Sequence, residues 1–155
     1  MKLQNAMQID EEIKTRKFED NYHKVIINVA YTSGWLNNLL RCQFERYNLT
    51  QQQFNILRIL RGQFPNPCTI NLLKERMLDK MSDASRIVDR LEQKGLVSRC
   101  TNKRDRRAVD IRISETGMDI LKKMDAEFKA SDFLKNNLTE EEAGLLSDLL
   151  DKLRG

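Results

Sequence analysis

Six polar side chains between positions 82 and 90, namely Ser82, Asp83, Ser85, Arg86, Asp89 and Arg90, are spaced to share the outer surface of one helix. Short hydroxyls allow close approach, and the two guanidinium groups bring forked donors. That chemistry suits the base edges of a DNA groove. A second cluster follows at 99–107, where Arg99, Lys103, Arg104, Arg106 and Arg107 face the single acid Asp105. Cations at this density suit a phosphate backbone, and an arginine among them suits the minor groove, where the potential is most negative. Taken alone, the basic stretch is as well read as a solvated turn charged for solubility. Its place after the polar helix decides for DNA.

The elements that hold these groups follow from the pattern around them. Residues 81–95 (MSDASRIVDRLEQKG) form a helix with Ser82 as its expected cap and Ala84, Ile87, Val88 and Leu91 as its apolar stripe. Gly95 ends it, because glycine takes the left-handed conformation at little cost. Upstream, residues 69–77 read as a short helix capped by Thr69, and 78–80 as a turn. Downstream the period becomes two. Val97, Arg99 and Thr101 alternate, as do Val109, Ile111 and Ile113, with 102–108 as the hairpin tip between two strands. Helix, tight turn, polar helix and basic hairpin assign roles. Ser82, Ser85 and Arg86 are expected at base edges, while Asp83 orients Arg86 or accepts from a cytosine amino group. Thr69 and Lys80 are expected at phosphates, and Arg90 at phosphate or Asp89. Lys103, Arg104, Arg106 and Arg107 belong to the hairpin, one of them entering the minor groove.

These residues also carry a family resemblance. LEQKGLV at 91–97, then Arg99, DRR at 105–107 and ISETG at 113–117 resemble the winged-helix signature of MarR-type regulators. The resemblance extends over roughly 24–153 and is strongest over 69–117. It implies a mainly α fold with a small β-hairpin wing: a winged helix-turn-helix with long N- and C-terminal dimerisation helices. It further implies a homodimer reading an inverted repeat, repression as the usual outcome, and an ion pair between Asp105 and Arg107 that orders the wing. A small-molecule effector is implied as well, between the first long helix, the next and the dimer helices. Two departures stand out. The turn before the reading helix is one residue longer, with Met81 as the extra residue, and Asp83 puts a negative charge on the groove face.

Outside that segment the chain reads as helices. The residues before 17 are polar, with Leu3, Met7 and Ile13 at loose helical spacing, and suit a short helix docking on a partner subunit better than a loose arm. Residues 17–47 form a first long helix whose Tyr22, Val25, Ile26, Val29, Leu36, Leu39, Leu40, Phe44 and Tyr47 keep the spacing of a buried stripe. Gly34 interrupts it, and a bend or a close backbone contact is expected there. His23, Tyr31 and Trp35 are its large polar-edged groups. They are candidates for an effector pocket, although filling core or interface is the weightier reading. Thr50 and Gln53 make a capping box for a helix that Gly62 stops, and Pro65 and Pro67 stiffen the loop behind it. Ser114 caps another long helix, residues 131–137 read as a break, and Thr139 with Glu142 caps the last helix. That helix carries Leu145, Leu146, Leu149, Leu150 and Leu153. So many leucines need a partner, either the first helix or a second copy across a two-fold axis. The second is preferred, since two reading helices one DNA turn apart (~34 Å) need a spacer.

Composition bounds the rest. A chain of 155 residues, 40% hydrophobic and 32% charged, suits one domain (1–155), with the winged lobe at 50–113 and dimerisation helices at 1–47 and 114–155. The net charge of +4 is uneven. Residues 74–112 hold twelve Lys and Arg against seven Asp and Glu, whereas 114–155 hold six against ten, so the positive field lies on the winged segment. Three cysteines without C-x-x-C spacing argue against a disulfide framework or a zinc site, and no cofactor or metal is expected. No apolar run reaches membrane-span length and no signal-peptide block opens the chain, so a cytoplasmic location without membrane contact is expected. One histidine, no Gly-rich phosphate loop and no nearby nucleophile–base pair leave an enzyme the poorest option. The stronger rival is a winged helix that binds proteins and not DNA, which the basic wing disfavours.

Overall fold

A computed structural model describes residues 7–15, 17–102 and 109–155 of the chain. They form eight helices and one antiparallel hairpin, divided into two compact units, Met1–Cys42 and Gln43–Gly155.

In the first unit α1 (Ile9–Glu12) is a single turn, followed by most of α2 (Asn21–Glu45). Asp20 starts α2 by accepting a hydrogen bond from the backbone N–H of His23 at 2.8 Å. Tyr31 Oη donates to Glu12 Oε2 at 2.8 Å, and Asp10 lies 3.7 Å from Lys24 Nζ. Two expectations fail here. Gly34 does not interrupt α2, and nothing lies within 4 Å of where its Cβ would stand. The apolar stripe is not buried within the chain either: Tyr22, Val25, Ile26, Val29 and Leu36 are all exposed, while Phe44, at the far end of the helix, is buried.

The second unit holds the core. α3 (Gln51–Gln63) starts at the Thr50–Gln53 capping box, as its sequence dictates. It buries Ile56, Leu57 and Leu60. Against it pack α5 (Ala84–Gln93), α6 (Glu115–Glu127) and the second hairpin strand. β1 (Val97–Thr101) and β2 (Val109–Ile113) pair antiparallel, Val97 opposite Ile113 and Thr101 opposite Val109, so the strand boundaries match the alternation. A third strand of one residue joins them: Cys68 N donates to Ile111 O (2.9 Å) and Ile111 N to Cys68 O (2.8 Å). No alternation announces a strand of that length.

α6 is capped by Ser114, whose Oγ accepts from Gly117 N at 3.0 Å and donates to Gly95 O at 2.8 Å. Leu121 and Met124 face the core, and Asp125 accepts from both Arg58 (3.0 Å) and Arg61 (2.6 Å) of α3. The expected break at 131–137 is misplaced. α7 (Ala130–Lys135) occupies most of it, and the chain turns earlier, at Phe128 and Lys129. α8 (Glu140–Arg154) begins at the Thr139–Glu142 capping box as expected. Its Leu145, Leu146, Leu149 and Leu153 are 45–61% exposed.

Gly117 is required by contact. A Cβ there would overlap the Leu96 carbonyl oxygen and come within 2.9 Å of Ile113 Cγ1, whereas one at Gly62 would meet nothing within 4 Å. Gly117→Ala should therefore lose about 1–3 kcal/mol of stability, as overpacking does. Gly62→Ala, in the last turn of α3 and unobstructed, should gain up to about 0.5 kcal/mol, the lower end of the mid-helix value. Urea unfolding of the two variants checks the opposite signs.

Candidate nucleic-acid interface

α4 (Ile70–Arg76), the turn at 77–83 and α5 are the helix-turn-helix. Thr69 caps α4, its Oγ1 accepting from Leu72 N at 3.2 Å. Leu73 and Met77 anchor the helix in the core. The turn is held by hydrogen bonds among its own polar groups and to α3 and α4. Leu78 N donates to Asn55 Oδ1 on α3 (3.0 Å), and Lys80 Nζ donates to Glu75 O (2.5 Å) at the end of α4. The Asp79 carboxylate accepts from Ser82 Oγ (2.5 Å) and Met81 N (3.0 Å). These bonds, the Ser82 hydroxyl first and the Met81 N–H next, hold the Asp79 carboxyl below its ordinary pKa.

α5 starts one residue later than expected. The cap is Asp83, not Ser82, and its carboxylate accepts from Ser85 N (3.0 Å) and Arg86 N (3.3 Å). A carboxylate at a helix N-terminus also meets the positive end of the dipole, so Asp83 is explained by the helix itself. Ala84, Val88 and Leu91 are buried along one edge. Opposite them Arg86, Asp89 and Arg90 are exposed and Ser85 is half-buried. Gly95 ends the helix in the left-handed region (φ +69°), as the sequence requires.

The hairpin is fastened to α5 by Arg99. Its guanidinium contacts Asp89 Oδ1 at 2.6 Å, Ser85 O at 3.3 Å and Glu92 Oε2 at 3.7 Å. Grouped by sequence with the cations of the wing, Arg99 instead braces the reading helix. Asp89 is thereby taken up by Arg99, the partner that sequence reading had offered to Arg90. Toward the tip of the hairpin Asn102 Nδ2 donates to Asp110 Oδ1 (2.8 Å), and at its base Arg112 Nη1 donates to Pro65 O (2.6 Å). Lys103, Arg104, Asp105, Arg106 and Arg107 lie outside the described residues. Burial raises the Cys68 thiol pKa, and Cys100 is exposed on β1.

The residues named from the sequence thus separate into two groups. Ser85, Arg86 and Arg90 stand on the outer side of α5, where reading side chains are needed. Thr69, Lys80, Ser82 and Asp83 have side-chain groups engaged in building the helix-turn-helix. Asn55, Asp79 and Arg99 were missed as positioning residues. An Asp79-x-x-Ser82 spacing is the kind that forms side-chain turns and signalled the first of these bonds, but nothing local signals Asn55 or Arg99. His23, Tyr31 and Trp35 all lie on α2. An open cleft of about 410 Å³ in the second unit, lined by Glu45, Asn48, Thr50, Gln53, Arg90 and Lys94 among others, includes none of them.

The MarR family model matches residues 49–109, the span from the α2–α3 turn to the second wing strand. Over that span the chain is similar to the MarR family. Among curated MarR-type relatives, the HTH-type transcriptional regulator MhqR of Bacillus subtilis (strain 168) is 25% identical over 130 residues, 83% of this chain and 87% of that protein. A MarR-like transcription regulator from Bacillus cereus ATCC 10987 superposes with a TM-score of 0.73 at 27% identity, over 86% of this chain and 96% of that one. A mutant MarR from E. coli complexed with operator DNA gives 0.72 at 25% identity, over 87% and 99%.

Asp79 makes the integrity of the turn between α4 and α5 depend on pH. A carboxyl whose folded pKa is depressed favours the folded state above the unfolded value of about 3.9, and that contribution fades as pH falls through the folded value. Asp79→Asn should destabilise the protein at pH 7, and the gap to the unsubstituted protein should narrow below about pH 4. Chemical unfolding at a series of pH values measures it, and a gap constant from pH 7 to 3 would contradict the role.

Proposed function

We propose that this protein is a transcriptional regulator that binds duplex DNA sequence-specifically as a homodimer on an inverted repeat. The observation that carries the reading is the arrangement of α5. One edge is buried, the opposite side presents Ser85, Arg86 and Arg90, and the helix is braced by Arg99 to a hairpin whose tip sequence is basic. The likeness to a MarR chain complexed with operator DNA supports it. Arg86 takes a base edge, with guanine O6 and N7 the natural acceptors for its fork, and Arg90 takes phosphate. Arg104, Arg106 and Arg107 are assigned to the wing on sequence grounds, with Asp105 paired to Arg107.

The exposed leucines of α8, and separately the exposed apolar side chains of α2, support the dimer, since each is a surface that a second copy would cover. Repression is the simplest output, because a dimer seated on an operator excludes polymerase with no further contact. The relatives are transcriptional regulators, which supports a role without catalysis. Among the described residues no helix is long and apolar enough to cross a membrane. We place the protein in the cytoplasm, with the DNA.

A mobility-shift titration at two salt concentrations, on a selected duplex and on a random one, tests the reading. Arg86→Ala should cost about 1–3 kcal/mol on the selected duplex and little on the random one. Arg104→Ala should weaken both alike and lower the salt slope by about 1. Equal losses for Arg86→Ala on the two duplexes would refute its role. Sedimentation tests the dimer: Leu149→Glu should yield monomers that protect a single half-site, and an unsubstituted protein that sediments as a monomer would refute the arrangement.

A further inference from the structure

The turn that leads into α5 presents two large apolar side chains to solvent. Met81 is 94% exposed and Leu78 is 80% exposed. Single apolar residues on a surface are ordinary, but this turn is not loose. Leu78 N is tied to Asn55, Met81 N and Ser82 Oγ are tied to Asp79, and Lys80 is tied to the end of α4. The same bonds use up polar groups at the front of the helix. The Ser82 hydroxyl donates to Asp79, and the Asp83 carboxylate accepts from two backbone N–H groups of α5. The hydrogen-bonding side chains left to the first turn are Ser85 and Arg86. The outward chemistry of the turn itself is a thioether and an isobutyl group.

The first residues of a reading helix are the ones that reach base edges. On the major-groove edge of the base pairs the apolar group is the 5-methyl of thymine. We propose that Met81, with Leu78 three residues before it in the same turn, reads thymine methyl groups next to the base that Arg86 contacts. The unbranched, polarisable side chain of methionine adjusts to a methyl group at small conformational cost. Specificity then comes from one guanidinium and an apolar wedge, and not from the serines that the sequence puts forward. The inference rests on the DNA-binding reading above and goes further, to the chemical group recognised.

Duplexes selected by the protein from a random pool provide the probe. Each thymine is replaced in turn by deoxyuridine, which removes the methyl group and nothing else. The unsubstituted protein, Met81→Ser, Leu78→Ser and Met81→Leu are titrated by fluorescence anisotropy. At one or two thymines per half-site the unsubstituted protein should lose about fourfold in affinity, the worth of burying one methyl-sized group. Met81→Ser should show a comparable loss on the parent duplex and be indifferent to deoxyuridine at those positions. Met81→Leu, which stays apolar, should keep both affinity and sensitivity. Indifference of the unsubstituted protein to every replacement overturns the proposal. So does full affinity with unchanged sensitivity in both serine variants. A pool that yields no preferred sequence instead refutes the DNA-binding reading, and this proposal with it.

Discussion

Burial of one edge of α5 is the constraint on which the rest depends. A helix of ten residues is too short to persist in water on its own propensity, so packing must hold it. Ala84, Val88 and Leu91 have no exposed surface, and α5 packs against α3, α4 and β1. Fully burying a valine or leucine side chain is worth about 1.5–3 kcal/mol. With its position fixed from inside, α5 can carry an outer side with no apolar requirement at all. Reading DNA asks for that separation: the side chains that choose the base are not the ones that hold the helix.

The separation is less clean at the front of the helix, where folding and reading compete for the same residue types. Serine, threonine and aspartate are good caps because they reach backbone N–H groups, and good readers because they reach base edges. Here the fold takes them. Thr69 caps α4, Asp83 caps α5, and Ser82 closes the Asp79 turn. Sequence alone could not have decided between Ser82 and Asp83 as cap, because each is an excellent one and they are adjacent. Asp79 decided it, by engaging the Ser82 hydroxyl from three residues upstream. Where no such competitor exists, caps were legible. Thr50 with Gln53, Ser114, and Thr139 with Glu142 all sit where their spacing put them.

What else was legible follows the same division between local and distant causes. The hairpin strands were readable because alternation is a local signal, and so was the stop at Gly95, where φ is positive. The single-residue strand at Cys68 was not, since one residue has no period, and neither was the partner of Arg99, which depends on how β1 crosses α5. α7 was missed because nothing but composition marked 131–137 as a break, while the turn at Phe128 and Lys129 carries neither glycine nor proline. The apolar spacing on α2 and α8 was read correctly as spacing. Whether such a face is buried within one chain is a tertiary fact, and here both faces stay open.

That openness bears on how the charge works. Residues 74–112 carry a formal excess of cations, but Arg99 lies against Asp89 and Glu92, which offset its charge. Lys80, Arg112 and Lys94 donate to neutral oxygens, so they keep their charge while the fold fixes where it sits. A guanidinium paired with carboxylates adds little to the field felt a Debye length away, about 8 Å at physiological salt. The outward cations of α5 are then few, and phosphate attraction falls more heavily on the basic tip of the wing. One lobe would hold a polyanion only weakly on those terms. Two lobes joined as the proposed dimer would act at the same time, the second contact becoming intramolecular and multiplying the apparent affinity without any new contact. On the proposed dimer, the leucines left open on α8 and the modest charge on α5 would be two sides of one arrangement, a second copy supplying what a single helix lacks.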